Sequence, residues 1–194
     1  MNVYTTLKPA MTEAELHYFM GLLSMTDNYL EFGSGGTTVY AASLVKKSVL
    51  SVDSSKEWQI TIANECKKLR TPVIPLLHFV DLGPAGALSK LEMGTYGNDG
   101  VNYYTEVWNF SQALNADLVM VDGKFRVACF LSALLHCQAD TTFLIHDFER
   151  TVYAVIADFV DEVVAVDRLV AFRKRSDFDA SVATEVLLRL ISMG

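Results

Sequence analysis

The chain has no surplus of positive charge, no long apolar run and too few cysteines for a covalent framework, and each shortage removes a class of protein. Lys and Arg number 16 against 23 Asp and Glu, a formal net charge of −7. Such a surface has no excess cations with which to release counterions from a phosphate backbone, so neither DNA nor bulk RNA is expected as a partner. No stretch reaches the roughly 18 uninterrupted apolar residues of a membrane span, and no membrane association is expected. Lys8, Pro9, Glu13 and Glu15 break up the apolar positions near the start, which therefore lacks both the basic beginning and the continuous apolar stretch of a secretory signal. The three cysteines, Cys66, Cys129 and Cys137, show neither a CxxC nor a Cys/His spacing suited to zinc. They read as reduced thiols in or near a core, and the expected compartment is the cytosol.

What the chain does have is apolar content: 51% of its 194 residues are hydrophobic, enough to bury one core unaided. No repeat, low-complexity tract or linker divides it. One domain over 1–194 is expected, with a helical extension at 1–27, a core at 28–175 and a closing helix at 176–194.

Thr12 to Glu15 has the form of a capping box, and Leu16, Phe19, Met20 and Leu23 follow at helical spacing. Short apolar runs then alternate with 3.6-period segments, the texture of a parallel sheet covered by helices on both faces. Strands are expected at Tyr29 to Phe32, Val49 to Asp53, Ile74 to Asp81, Asp117 to Asp122 and Thr142 to Asp147. The spacing of Trp58, Ile62, Cys66 and Leu69 predicts a helix, as does that of Tyr104, Val107, Trp108 and Ser111. Two more helices are expected, over Phe125 to Leu135 and through Val152, Val155, Ile156 and Phe159. The runs Val163 to Val166 and Leu169 to Phe172 are separated only by Asp167 and Arg168, a link so short that the pair must be antiparallel. A last helix is expected near Ser181 to Ser192. The stretch Leu82 to Asn102 holds five glycines and no clear period, and reads as a functional loop.

The segment from Tyr29 to Thr38 carries the most chemistry. It is a strand that runs into Gly33-Ser34-Gly35-Gly36-Thr37 and then a helix, and in a parallel sheet the turn after the first strand lies where ligands bind. Its pattern is E/D-x-G-x-G-G, whereas the third glycine of a dinucleotide turn would fall at Thr38. Glu31 would repel a pyrophosphate, but it suits the ammonium of an amino acid or can brace the turn. Asp53, 18 residues beyond Gly35, can accept hydrogen bonds from two ribose hydroxyls, with Ser54 beside it. Either residue can instead cap the following helix. Asp81 and Leu82 at the third strand end can flank an adenine ring. Asp122 at the fourth strand mouth and His146 and Asp147 at the fifth can converge, because adjacent strands stand about 4.8 Å apart. Such a group can deprotonate a hydroxyl acceptor, with His146 as the base, or Asp122 and Asp147 can hold a divalent cation. Lys124 and Arg126 can receive an anionic acceptor. Tyr96, Tyr103, Tyr104 and Trp108 are candidates for an acceptor wall, Trp108 more readily for the core. His17, His78 and His136 are scattered and read as structural.

Together these residues resemble the class I S-adenosylmethionine-dependent methyltransferases from Asn28 to about Arg175. The phrases FGSGGTT, DLGPAG, VDGKFRVA and IHDFERTVY are similar to a group of bacterial methyltransferase-like proteins of undetermined function. The resemblance implies a Rossmann-like αβα sandwich with a seven-stranded sheet of order 3-2-1-4-5-7-6, strand 7 antiparallel. It implies that Glu31, Gly33 and Gly35 hold the methionine part of S-adenosylmethionine and that Asp53 holds ribose. Magnesium-using O-methyltransferases of sugars and catechols are also similar around Asp122, but their fifth strand ends in Asp-Asp or Asp-Asn where this chain has His146-Asp147. The N/D-P-P-Y/F signature of amino-directed enzymes is absent, Asp122-Gly-Lys-Phe standing in its place. The expected function is methyl transfer to a small hydroxylated acceptor. A non-catalytic module with the same fold is the alternative, and a nicotinamide-dependent oxidoreductase is disfavoured by Glu31 and Thr38.

Overall fold

Strand order follows from how the apolar runs pair. The computed structural model describes residue 3 and residues 5–83, 98–148 and 153–192. Strands β1 (Asn28–Phe32), β2 (Ser48–Asp53), β3 (Leu76–Phe79), β4 (Leu118–Val121), β5 (Thr142–Ile145), β6 (Val160–Val166) and β7 (Leu169–Lys174) form one sheet of order β3-β2-β1-β4-β5-β7-β6. The first five are parallel, and β7 runs antiparallel between β5 and β6. The expected order and terminal hairpin are therefore present.

Alternation along the strands sorts side chains to two faces. Leu30, Phe32, Val119, Val121, Phe143 and Phe172 enter one buried cluster with helix α5 (Arg126–His136) and helix α6 (Ala180–Ser192). Tyr29, Val49, Leu118, Met120 and Leu144 enter another with helix α1 (Glu13–Met25) and helix α2 (Gly36–Leu44). Helix α3 (Lys56–Leu69) packs Ile62 and Cys66 on Val39 and Ala42 of α2. The three cysteines are free and buried, and no helix among the described residues is long and apolar enough to cross a membrane.

The capping box at Thr12 forms as expected: Thr12 Oγ1 accepts from the Glu15 amide at 3.2 Å, and the Glu15 carboxylate accepts from the Thr12 amide at 2.7 Å. Other expectations need correction. The third strand spans only Leu76–Phe79, because it is an edge strand and Pro75 has no N–H for the ladder. The helix expected through Tyr104, Val107, Trp108 and Ser111 is broken into helix α4 (Asn98–Thr105), a 3₁₀ turn (Glu106–Asn109) and one helical turn (Ser111–Leu114). Its cause is the Tyr104 carbonyl, which a continuous helix would give to the Trp108 amide. Here the Trp108 indole takes it at 2.8 Å and the Ser132 hydroxyl at 2.7 Å. The helix expected up to Phe159 reduces to a 3₁₀ turn at Ala154–Ile156, because β6 starts three residues earlier than its apolar run, at Val160 paired to Lys174. Val152 and Tyr96 lie outside the described residues, as do residues 84–97 of the irregular stretch; its end belongs to α4.

Candidate ligand site at the sheet mouth

β1 and β4 are neighbours whose connections leave in opposite directions, so a crevice opens beyond their carboxyl ends. The structure has a cavity of about 950 Å³ there. Gly33, Ser34, Gly35, Gly36, Thr37, Asp53, Ser54, Asp81 and Asp122 all line it. The floor depends on two glycines meeting backbone to backbone. Gly33 has φ +104°, and a Cβ on it would stand 2.5 Å from Gly123 Cα. No side chain fits between these strand ends, and the crevice stays open.

Glu31 does not reach the cavity wall. Alternation turns it to the α1/α2 face, opposite Ser51 in the β1–β2 register, and it is completely buried. Its carboxylate accepts from the hydroxyls of Thr37 and Thr38, from Ser51 Oγ at 2.9 Å and from Tyr29 OH at 3.1 Å. Burial pushes its pKa up to about 7 against the pull of these donors. Of the two roles expected of it, facing an ammonium or bracing the turn, Glu31 takes the second here, from beneath the turn. It does so through hydroxyls and lies close to its ionisation midpoint at neutral pH.

Asp53 lines the cavity but is not the cap of the helix that follows. Oδ1 accepts from the Ser55 amide at 2.7 Å at the start of α3, and Oδ2 from the Ser34 amide at 2.9 Å, tying β2 to the glycine turn. The helix cap itself is Ser55, whose hydroxyl accepts from the Trp58 amide at 3.2 Å. Burial raises the Asp53 pKa, opposed by those amides and by Lys124. The Ser54 amide acts on the same carboxylate, which lines the cavity. Asp81 is exposed on the rim, with its carboxylate on the Gly83 amide at 2.9 Å. Leu82 is buried in the core cluster and does not line the cavity.

Asp122, His146 and Asp147 are brought together: one ligand atom from each lies within 4.8 Å of the others. Only Asp122 stands in the cavity wall. His146 is 2% exposed and lies between carboxylates, Nδ1 3.3 Å from Asp122 Oδ1 and Nε2 3.5 Å from Glu15 Oε2. Burial alone would lower its pKa, but the bond to Asp122 and the charges of Asp122, Asp147 and Glu15 raise it overall. Arg126 binds Asp122 Oδ1 at 3.1 Å and the His146 carbonyl at 2.7 Å, and approaches Asp147 at 3.8 Å. Asp147, in the left-handed region at φ 55°, also pairs with Arg168. The guanidinium groups of Arg126 and Arg168 already supply positive charge to Asp122 and Asp147, so in this arrangement the trio does not fit a metal. Arg126 is equally committed and does not await an anionic acceptor, whereas Lys124 does line the cavity.

Sequence reading missed several participants. Glu15, noticed for its capping box, is fully buried against His146 and also accepts from the Arg168 amide at 2.8 Å. The Trp58 indole donates to the Ser34 carbonyl at 2.7 Å and lines the cavity. Lys8, Pro9 and Ala10 form one wall, and Gly36 was the signal: a Cβ there would meet the Lys8 and Pro9 backbone at 2.5 Å. Of the aromatic candidates, Tyr103 lines the cavity, Tyr104 is core, and Trp108 stacks on His136 at 4.5 Å. His17 is exposed on α1, and His78 pairs with Glu106 at 3.2 Å.

No family model and no curated protein match the chain. Among solved structures it is similar to a methyltransferase-like protein from Silicibacter pomeroyi DSS-3, with 24% identity, 97% of this chain and 98% of that one covered, and a TM-score of 0.80. It is also similar to an O-methyltransferase from Bacillus cereus in complex with S-adenosylhomocysteine, at 15% identity, 86% and 84% coverage and TM-score 0.54. An RNA methyltransferase from Salinibacter ruber, also bound to S-adenosylhomocysteine, gives 14% identity, 88% and 99% coverage and TM-score 0.52. The chain thus has the Rossmann-like fold of class I methyltransferases.

Proposed function

We propose that the chain binds S-adenosylmethionine and transfers its methyl group to a small hydroxylated acceptor. The observation that carries this reading is the cavity at the β1/β4 switch point, where the glycine turn and Asp53 share one wall above a buried carboxylate. A nucleoside has its ribose partner in Asp53. An amino-acid cation above the turn would draw Glu31 into its charged form, whereas a diphosphate would meet that charge as repulsion. The two relatives with bound S-adenosylhomocysteine support the same ligand class. The net charge of −7 favours a small acceptor over RNA.

When bound, the sulfonium supplies an electrophilic methyl group. Asp122 is at the cavity wall and can accept a hydroxyl proton, while Arg126 and His146 hold its carboxylate from behind. His146 and Asp147 then serve as positioning groups. Aligning acceptor and sulfonium would account for much of the rate. A second reading, a binding module without turnover, is favoured by the mutual neutralisation of Asp122, His146, Asp147, Arg126 and Arg168.

Calorimetry with S-adenosylmethionine, S-adenosylhomocysteine and NAD tests the ligand. Binding of the first two, weakened roughly 10- to 100-fold in Asp53→Ala, is expected. Affinity for NAD alone would overturn the reading. Labelled methyl transfer to a panel of hydroxylated acceptors, abolished in Asp122→Asn, separates enzyme from module.

A further inference from the structure

A segment outside the sheet closes the cavity on its α2 side. Thr5 Oγ1, the Thr6 amide and Thr6 Oγ1 all donate to Glu65 Oε1 of α3, at 2.9, 3.1 and 3.3 Å. Leu7 packs on the α2/α3 cluster, and its amide donates to Thr5 Oγ1 at 3.0 Å. The backbone then crosses Gly36 at the first turn of α2, so closely that a Cβ there would lie 2.5 Å from the Lys8 carbonyl carbon. Beyond the crossing, Thr12 caps α1 and its hydroxyl donates to Asp167 at 2.6 Å. Residues 5–12 are therefore a strap fixed at both ends, and Lys8, Pro9 and Ala10 stand in the cavity wall.

Three lysines line the cavity: Lys8, Lys56 and Lys124. Lys56 lies over the Phe79 ring at 5.8 Å, on the β3 side, and Lys124 acts on Asp53. Lys8 is the one at the glycine-turn end, and among the described residues it has no ion-pair or hydrogen-bond partner for its ammonium. An amino-acid ligand at that end brings a carboxylate as well as an ammonium. Glu31 and its hydroxyl shell offer nothing for that anion.

We propose that Lys8 binds the carboxylate of the donor's amino-acid end, which makes the N-terminal strap part of the donor site. The inference rests on reading the cavity as the S-adenosylmethionine site. Lys8 and the first amides of α2 would then hold the carboxylate between them, and the fit depends on the missing Cβ of Gly36.

The test compares two ligands on the full chain by calorimetry: S-adenosylhomocysteine, and 5′-methylthioadenosine, which keeps the nucleoside thioether but lacks the amino-acid end. Lys8→Ala is expected to weaken S-adenosylhomocysteine roughly 10- to 100-fold, as loss of a charge-assisted bond does. It should leave 5′-methylthioadenosine unchanged, and Lys8→Arg should recover most of the loss. Unchanged S-adenosylhomocysteine affinity in Lys8→Ala would overturn the assignment. An equal loss for both ligands would also overturn it, because the strap would then be acting on cavity shape alone. If the unsubstituted chain bound neither ligand, the donor reading would fall together with Lys8; binding of both with an indifferent Lys8→Ala sinks Lys8 only.

Discussion

The two halves of the sheet mouth handle charge in opposite ways. At the β1/β2 half, Glu31 is buried without a cation and Asp53 has only amide donors on it, so both carboxylates are held above their ordinary pKa by burial. At the β4/β5 half, Asp122, Asp147 and Glu15 surround His146 and engage Arg126 and Arg168. The first half is electrostatically unfinished and opens on a cavity, whereas the second has completed its own circuit. A cationic ligand would stabilise the first half and find little to do in the second, which is the physical basis for proposing the donor site at the β1/β2 half.

Breaking the shared floor should have the largest effect. Gly33→Ala places a Cβ 2.5 Å from backbone at a φ of +104°, so overpacking and strain add. A loss of roughly 3 kcal/mol or more is expected in urea unfolding, with donor binding undetectable. Gly83→Ala, at φ +78° with nothing within 4 Å, is the control. It should cost only about 1 kcal/mol.

Next comes the completed half. Glu15→Gln keeps the capping-box geometry but removes the charge facing His146. A cost of about 2 kcal/mol is expected near pH 6, since a buried imidazolium loses one partner. Amides of Thr12 and Arg168 and the nearby imidazole hold the Glu15 pKa down against burial, so its contribution is present above the ordinary carboxylate range. The raised His146 pKa means its contribution is complete below the unfolded value of 6.5 and fades as pH rises through the folded one. The penalty of Glu15→Gln should therefore shrink by pH 9. A pH-independent penalty would mean that the carboxylate acts only as a helix cap.

The unfinished half loses stability in the same direction as His146, over a different window. Glu31 titrates at about 7 when folded, above the ordinary glutamate value of 4.5, so the folded state holds the extra proton and stability falls as pH rises through that window. The fall from this group is roughly 3 kcal/mol at most. Glu31→Gln should flatten the profile between pH 5 and 8 in urea unfolding, and S-adenosylhomocysteine should steepen the gain in stability at pH 8 only in the unsubstituted chain. The smallest effect is expected from Trp58→Phe. Losing the indole bond to Ser34 should cost about 1 kcal/mol or less and remove most of the fluorescence response to ligand.

The first strand and glycine turn, the terminal hairpin and the Thr12 cap were all legible because each depends on local chemistry: period, turn length, or a hydroxyl three residues before an acid. The Tyr104 to Ser111 segment was not. Its helical spacing is genuine, but Ser132, 28 residues away, takes the carbonyl that would have continued the helix. Glu31 shows the same limit within the site. Its place two residues before Gly33 was readable, but which of two faces it joined depended on β1 pairing with β2 so that Ser51 stood opposite.

By itself, the sequence determined the residues available at the mouth of a parallel sheet: a glycine turn, an acid after each of several strands and a histidine on the fifth. Tertiary structure alone decided which of those charges remained available. Charges separated by 131 residues, such as Glu15 and His146, neutralise each other only once packing removes the water between them, and no local pattern encodes that distance.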